Sequence, residues 1–215
     1  KLVLGAEPGG SGDTRSRVVT SFLRKYIPGN PTIISEFMPG GGGRKAANYL
    51  FNVVRPDGLT IGNASSGVVT SAVLGETGVQ YDIDKFYFLG ATDSTFHYVF
   101  FVRKALGLGN IEKLRAYSGL RLGAVSIGHT GYTYSRTFAW LLGLKDPKFV
   151  LGYSSLEIDG AIVRGEVDAR SNNTTEVVRR NLGVPKEDSH IDFISILKIP
   201  REDKDPNFEH LPELD

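Results

Sequence analysis

Glycine in this chain gathers directly after short apolar runs, and that placement constrains the fold more than any other feature. Of 26 glycines in 215 residues, 13 lie within the first 75. Three junctions hold most of them: Pro8-Gly9-Gly10-Ser11-Gly12-Asp13, Pro39-Gly40-Gly41-Gly42-Gly43 and Gly62-Asn63-Ala64-Ser65-Ser66-Gly67. Each follows an apolar or β-branched run, at 2–5, 32–35 and 59–62. Each precedes helical periodicity, at 14–26, 44–54 and 68–74. A strand, a glycine turn and a helix, repeated, predict βαβαβ and therefore a parallel sheet with crossover helices.

The rest of the chain continues the alternation. Two aromatic-rich runs, 86–91 and 98–102, read as buried strands. Helices are predicted over 110–117, 130–142 (closed by Gly143), 155–164 and 174–181. Strands are predicted over 120–125, 149–151, 167–169 and 191–197. Two βα series with a crossing near 102–104 and a return near 194–198 suggest two similar lobes and a hinge. Lobe one is then 1–102 plus 196–215, and lobe two is 103–195. The segment 198–215 carries six acidic and three basic residues with three prolines, and reads as surface coil. Trp140 recurs with apolar neighbours at helical spacing and is assigned to the core.

Composition removes several classes of function. Lys+Arg 25 against Asp+Glu 24 gives a net charge of +1, without the basic excess a nucleic-acid binder needs. Cysteine is absent, so disulfides, thiolate metal sites and cysteine nucleophiles are excluded. His97, His129, His190 and His210 show no paired metal-ligand spacing. No apolar run approaches the ~20 residues of a membrane span. The chain opens on an apolar strand with no basic-then-apolar leader, so any export signal is expected to have been removed or never to have existed.

A strand that ends in a glycine or serine loop and opens a helix is suited to an anion, because free amides and the helix dipole converge there. Gly9, Gly10 and Gly12 admit close backbone approach, and Asp13 is placed to cap the following helix. The arrangement recurs at Ser126-Ile127-Gly128-His129-Thr130-Gly131. Nucleotide readings fit less well. Gly43 is followed by Arg44-Lys45-Ala46, not the Lys-Ser/Thr of a Walker loop, and the Gly-x-Gly-x-x-Ala match at 41–46 lacks a ribose-binding acid after the next strand. Ala124-Val125-Ser126-Ile127-Gly128 approaches a nucleophile elbow, with Asp168 and His190 in the order a triad needs, but lacks the first glycine. A hydrolase-like enzyme using Ser126 is therefore one alternative.

Taken in order, the loops, the turn Arg55-Pro56-Asp57-Gly58-Leu59-Thr60 and Ala64-Ser65-Ser66 resemble the periplasmic substrate-binding proteins of tripartite tricarboxylate transporters, the Bug-type receptors. The stretches 124–130, Gly152-Tyr153-Ser154-Ser155 and Gly165-Glu166-Val167-Asp168 are similar to that family's second-lobe motifs, and the likeness covers most of 2–197. The resemblance implies an α/β chain of the type II periplasmic binding protein fold, two lobes closing on a ligand cleft. It implies a non-enzymatic, periplasmic, monomeric receptor for a small carboxylate that serves membrane transporter subunits, without cofactor, metal or nucleic acid. A ligand-sensing effector domain of the same fold is the second alternative. Carried over by position, the ligand residues are Gly9, Gly10, Ser11, Gly12, Asp13, Ser65 and Ser66, with Gly128, His129, Thr130, Gly131, Tyr153 and Asn173. Asp13 is given the helix-capping part. The sequence departs from the family at Glu7, where an aromatic residue is usual, and at His129 and Tyr132. It also ends short of the family's C-terminal helices.

Overall fold

A computed structural model describes residues 1–91, 97–181, 184–185, 188–198 and 204–215, with the side chain of Ser11 outside that set. The chain divides into two compact units. The first is Lys1–Thr92 with the short segment Ser126–Thr130, and the second is Asp93–Val125 with Gly131–Asp215. The boundary thus falls about ten residues earlier than the sequence suggests, and 196–215 belongs to the second unit rather than the first.

In the first unit, strands β1 (Leu2–Leu4), β2 (Ser35–Phe37) and β3 (Ile61–Asn63) form a parallel sheet in the order β2-β1-β3. Helices α1 (Ser11–Leu23), α2 (Arg44–Asn52) and α3 (Gly67–Val73) follow the strands in turn. Because the strands are parallel, all three strand-to-helix loops leave the same edge of the sheet. Strand β1, in the centre, is buried along its whole length. The apolar cluster beside it is small, built on Ala47, Val68 and Tyr81, with the Tyr81 hydroxyl donating to the Val68 carbonyl at 2.7 Å.

The second unit is a six-stranded mixed sheet. Its elements are β4 (Tyr98–Arg103), α4 (Ile111–Ala116), β5 (Arg121–Gly123), α5 (Thr130–Leu141, whose first residue belongs to the first unit), β6 (Lys148–Val150), α6 (Ser155–Arg164), β7 (Ala169–Asn173), α7 (Thr174–Asn181), β8 (Ile191–Leu197) and β9 (Glu213–Leu214). The strand order is β6-β5-β7-β4-β8-β9, with β4 antiparallel to both β7 and β8. Strand β4 reads Tyr-Val-Phe-Phe-Val-Arg because both of its faces are covered. Tyr98, Phe100 and Val102 enter one apolar cluster, with Leu122 and Phe138, while Val99 and Phe101 enter the other, with Ile158 and Ile162. Helix ends follow local chemistry. Ser154 and Glu157 make a reciprocal capping box at the start of α6, and Gly165 closes it with φ 75°.

Three sequence expectations change. Residues 86–91 are not a strand, and Tyr87 is 94% exposed with Phe88 and Leu89 also exposed; Phe86 alone packs inward, edge-on against Phe51. Trp140 is 79% exposed on α5, so helical spacing placed it on the wrong face. The described part of the segment after 198 is not surface coil. Strand β9 pairs parallel with β8, and Phe208 and Leu211 are buried in the second cluster. Smaller shifts also occur. Strand β2 lies at 35–37 rather than 32–35, and β7 runs to Asn173, four residues past the predicted end.

Candidate functional site

The loop after β1 is folded by its own helix. Helix α1 begins at Ser11, with Gly10 at the N-cap, so Asp13 is its third residue and not the cap the sequence suggested. From inside the first turn its carboxylate accepts the Gly9 N–H at 2.8 Å and two bonds from Arg17, at 2.8 and 3.0 Å. Asp13 is buried, and the Arg17 guanidinium, followed by the Gly9 amide, lowers its pKa from the ordinary value. The Gly10 N–H is bonded to the Glu7 carbonyl at 3.2 Å. Two of the expected ligand donors, the Gly9 and Gly10 amides, are therefore engaged within the loop. The first-turn amides of Gly12 and Asp13 have no intrahelical carbonyl to meet. Glu7 itself is exposed. The Ser11 side chain lies outside the described residues.

The loop after β3 supplies hydroxyls. Ser65 Oγ and Ser66 Oγ each lie 3.1 Å from Thr130 Oγ1, and the Gly67 N–H donates to Ser65 Oγ at 3.3 Å. Asn63, at the end of β3, donates to Ser16 Oγ at 2.5 Å, which ties that strand end to helix α1. Thr130 belongs to the segment Ser126–Thr130, turned by the His129 N–H bonding the Ser126 carbonyl and by Gly128 at φ 82°. The structure thus brings Ser65, Ser66, Gly128 and Thr130 together in the first unit, with His129 half-buried in the same turn.

The second-unit candidates have structural partners. The Gly131 carbonyl accepts from Ser171 Oγ at 3.1 Å. Tyr153 Oη donates to Glu166 at 3.2 Å, and burial with the Glu166 carboxylate raises its pKa. Asn173 is buried, and its Oδ1 accepts the Glu176 N–H at 2.9 Å, capping α7. These contacts give Tyr153 and Asn173 places in the framework of that unit.

A triad is not assembled on Ser126. Its Oγ is buried and has no hydrogen-bond partner. Asp168, the acid such a triad would use, is buried and bound instead to Arg121 (2.7 and 2.9 Å) and Arg103 (3.5 Å). Burial alone would push that carboxyl upward, but Arg121 outweighs it and the pKa is lowered. Among the described residues no group of three His, Cys, Asp or Glu side chains gathers as a metal site, and no helix is long and apolar enough to cross a membrane.

Sequence reasoning missed the part of Gly42, Gly67, Ser71 and Glu76. Glu76 accepts from Arg44 at 2.5 Å and from Ser71 at 3.0 Å, beside the turn at Gly128. The signal for the two early glycines was the pair of junctions 39–43 and 62–67, read as strand-to-helix turns, and Gly40–Gly43 all have positive φ.

No protein-family model and no curated protein sequence matches the chain. Solved structures do. MatC from Rhodopseudomonas palustris with bound malate is 21% identical with a TM-score of 0.76, over 99% of this chain and 70% of that one. The periplasmic binding protein BugD is 16% identical with a TM-score of 0.71, over 99% and 68%. R. palustris Rpa4515 with adipate is 18% identical with a TM-score of 0.71, over 99% and 69%. The chain has the fold of periplasmic binding proteins.

Proposed function

We propose that this chain is a periplasmic receptor of the tripartite tricarboxylate type, which captures a small carboxylate and presents it to membrane transporter subunits. It acts as a monomer, by binding and without turnover or cofactor. The observation that carries the reading is the donor array at the carboxyl edge of the first sheet: the Ser65, Ser66 and Thr130 hydroxyls with the open first-turn amides of α1. Hydroxyls and amides suit an anion, and the buried carboxylate of the first loop, Asp13, is paired with Arg17, while Glu7 of the same loop is exposed. The fold is shared with proteins holding malate and adipate, which makes C4 to C6 dicarboxylates the first ligands to test.

Calorimetric titration with malate, adipate and citrate checks this. At least one is expected to bind and to raise the melting temperature. Thr130→Val keeps the shape and removes a hydroxyl; loss of a bond to a charged oxygen, about 1.5–3 kcal/mol, corresponds to roughly 10- to 150-fold weaker binding. Absence of binding by every mono-, di- and tricarboxylate in such a screen would reject the proposal. So would a burst of ester hydrolysis that Ser126→Ala abolishes.

A further inference from the structure

Three glycines from three different segments meet at one point in the first unit. Gly42 lies in the loop after β2, Gly67 is the first residue of α3, and Gly128 is the turn of the segment Ser126–Thr130. A β-carbon on Gly42 would sit 2.5 Å from the Gly128 carbonyl carbon, 2.6 Å from its oxygen and 2.7 Å from the His129 nitrogen. A β-carbon on Gly67 would collide with that same Gly128 oxygen and lie 3.3 Å from the Gly42 oxygen. On Gly128, at φ 82°, it would meet Glu76 Oε2 at 2.8 Å and Ser71 Oγ at 2.9 Å. At Gly42 and Gly67 the crowding atoms are backbone, which cannot swing aside as a flexible side-chain end can; at Gly128 they are side-chain ends, and the positive φ is what favours glycine there.

We infer that Gly42, Gly67 and Gly128 form an all-glycine contact that docks the segment Ser126–Thr130 and thereby positions the Thr130 hydroxyl on Ser65 and Ser66. The three glycines are positioning residues for ligand capture, an assignment that rests on the carboxylate-receptor reading above. Thr130 follows Gly128 by two residues, so the seat of the Gly128 peptide fixes where the Thr130 side chain can reach. Ser71 and Glu76 close the far side of the turn, with Glu76 held by Arg44. Gly67 is the informative member. Its φ is not in the left-handed region, and at the start of a helix alanine is the better residue on propensity. Helix α3 alone gives no reason for glycine there; the contact with Gly128 does.

The cysteine-free chain supplies a test that needs no ligand. In S66C/T130C the replaced hydroxyl oxygens lie 3.1 Å apart, so mild oxidation is expected to cross-link the pair, read as a mass loss and a gel shift. Adding Gly67→Ala is expected to slow that cross-linking about tenfold or more. In the cysteine-free chain the same substitution is expected to weaken malate binding about tenfold or more, with the fold retained and the melting temperature lowered by no more than a few degrees as the segment is displaced. Gly42→Ala, which strikes the same peptide from the other side, is expected to act likewise on both readouts. If Gly67→Ala cross-links and binds malate as the parent does, the inference is overturned. Loss of the fold in Gly67→Ala also overturns it, because the contact is assigned to placing Thr130 and not to holding the unit together. Should the parent bind no carboxylate, the receptor reading fails while the cross-linking arm still decides whether the segment docks.

Discussion

The two units reach order by different means. The second fills both faces of a six-stranded sheet with large side chains, and its apolar clusters contain Phe100, Phe138, Leu122, Ile158 and Ile196, all fully buried. It also buries charge. Arg170 is enclosed, donating to Asp159 at 2.8 Å and to the Ser155 carbonyl at 2.8 Å, while Arg180 bonds the other Asp159 oxygen. Burial works against the Arg170 charge, so those partners are what make it tolerable. The first unit has three short strands and a cluster built on Ala47, Val68 and Tyr81, and it leaves Val18, Phe22, Tyr26 and Ile34 exposed. Its loops are set by backbone, through positive-φ glycines and hydroxyl contacts. Stability resides chiefly where side chains pack, and the candidate site lies where backbones approach closely.

That contrast can be broken in graded ways. The largest effect is expected from Phe138→Ala, which empties a site in contact with Phe100 (ring centroids 5.4 Å apart) and costs about 3–5 kcal/mol. Denaturant unfolding should show the loss in the second unit's transition; a cost like that of a surface mutation would refute the packing account.

Next is Asp168→Asn, expected to cost about 2 kcal/mol, less than a fully buried pair because Arg121 is partly solvated. The pH dependence follows from its sign. The folded pKa is lowered, so the contribution is complete above the ordinary carboxylate value near pH 4 and is lost as pH falls through the folded value below it. Melting temperatures measured from pH 7 down to pH 2 should fall less steeply for Asp168→Asn than for the parent, and equal slopes would remove Asp168 from the acid response.

Val68→Ala tests the thin core of the first unit. Removing two methyl-sized groups at about 0.8 kcal/mol each predicts roughly 1.6 kcal/mol. Hydrogen exchange should place that loss in residues 1–91, with the second unit's amides unchanged. Smallest of all is Trp140→Ala, within about 0.5 kcal/mol because the side chain is exposed. A Trp fluorescence maximum at the water-exposed end of the range should accompany it; a cost of several kcal/mol would mean that the indole is covered.

Much of this was legible in the chain. A glycine-rich junction after a β-branched run imposes its turn locally, so the βαβαβ order of the first 75 residues and the parallel sheet follow from it. The alternating helices of the second unit were readable from periodicity and, for 130–142, from the closing Gly143. Ser65, Ser66 and Thr130 were singled out by position through the family resemblance, and the structure sets the two serine hydroxyls each 3.1 Å from that of Thr130. Asp13 was recognised as a capping group but misplaced by one turn, since a carboxylate can serve amides from the third helical position as well as from the N-cap.

The amino-acid sequence determined what depends on neighbours a few residues away: strand, turn and helix, the alternation of β4 between two faces, the absence of thiol chemistry. Only the tertiary structure decided which apolar surfaces find cover. Trp140 and Tyr87 carry the same hydrophobic signal as Phe138 and Phe100, yet burial is settled by what packs opposite, and no local pattern contains that information. The same holds for Gly42, Gly67 and Gly128. Each looks like an ordinary turn or helix residue by itself, and the need for three glycines arises because distant segments bring their backbones to one point.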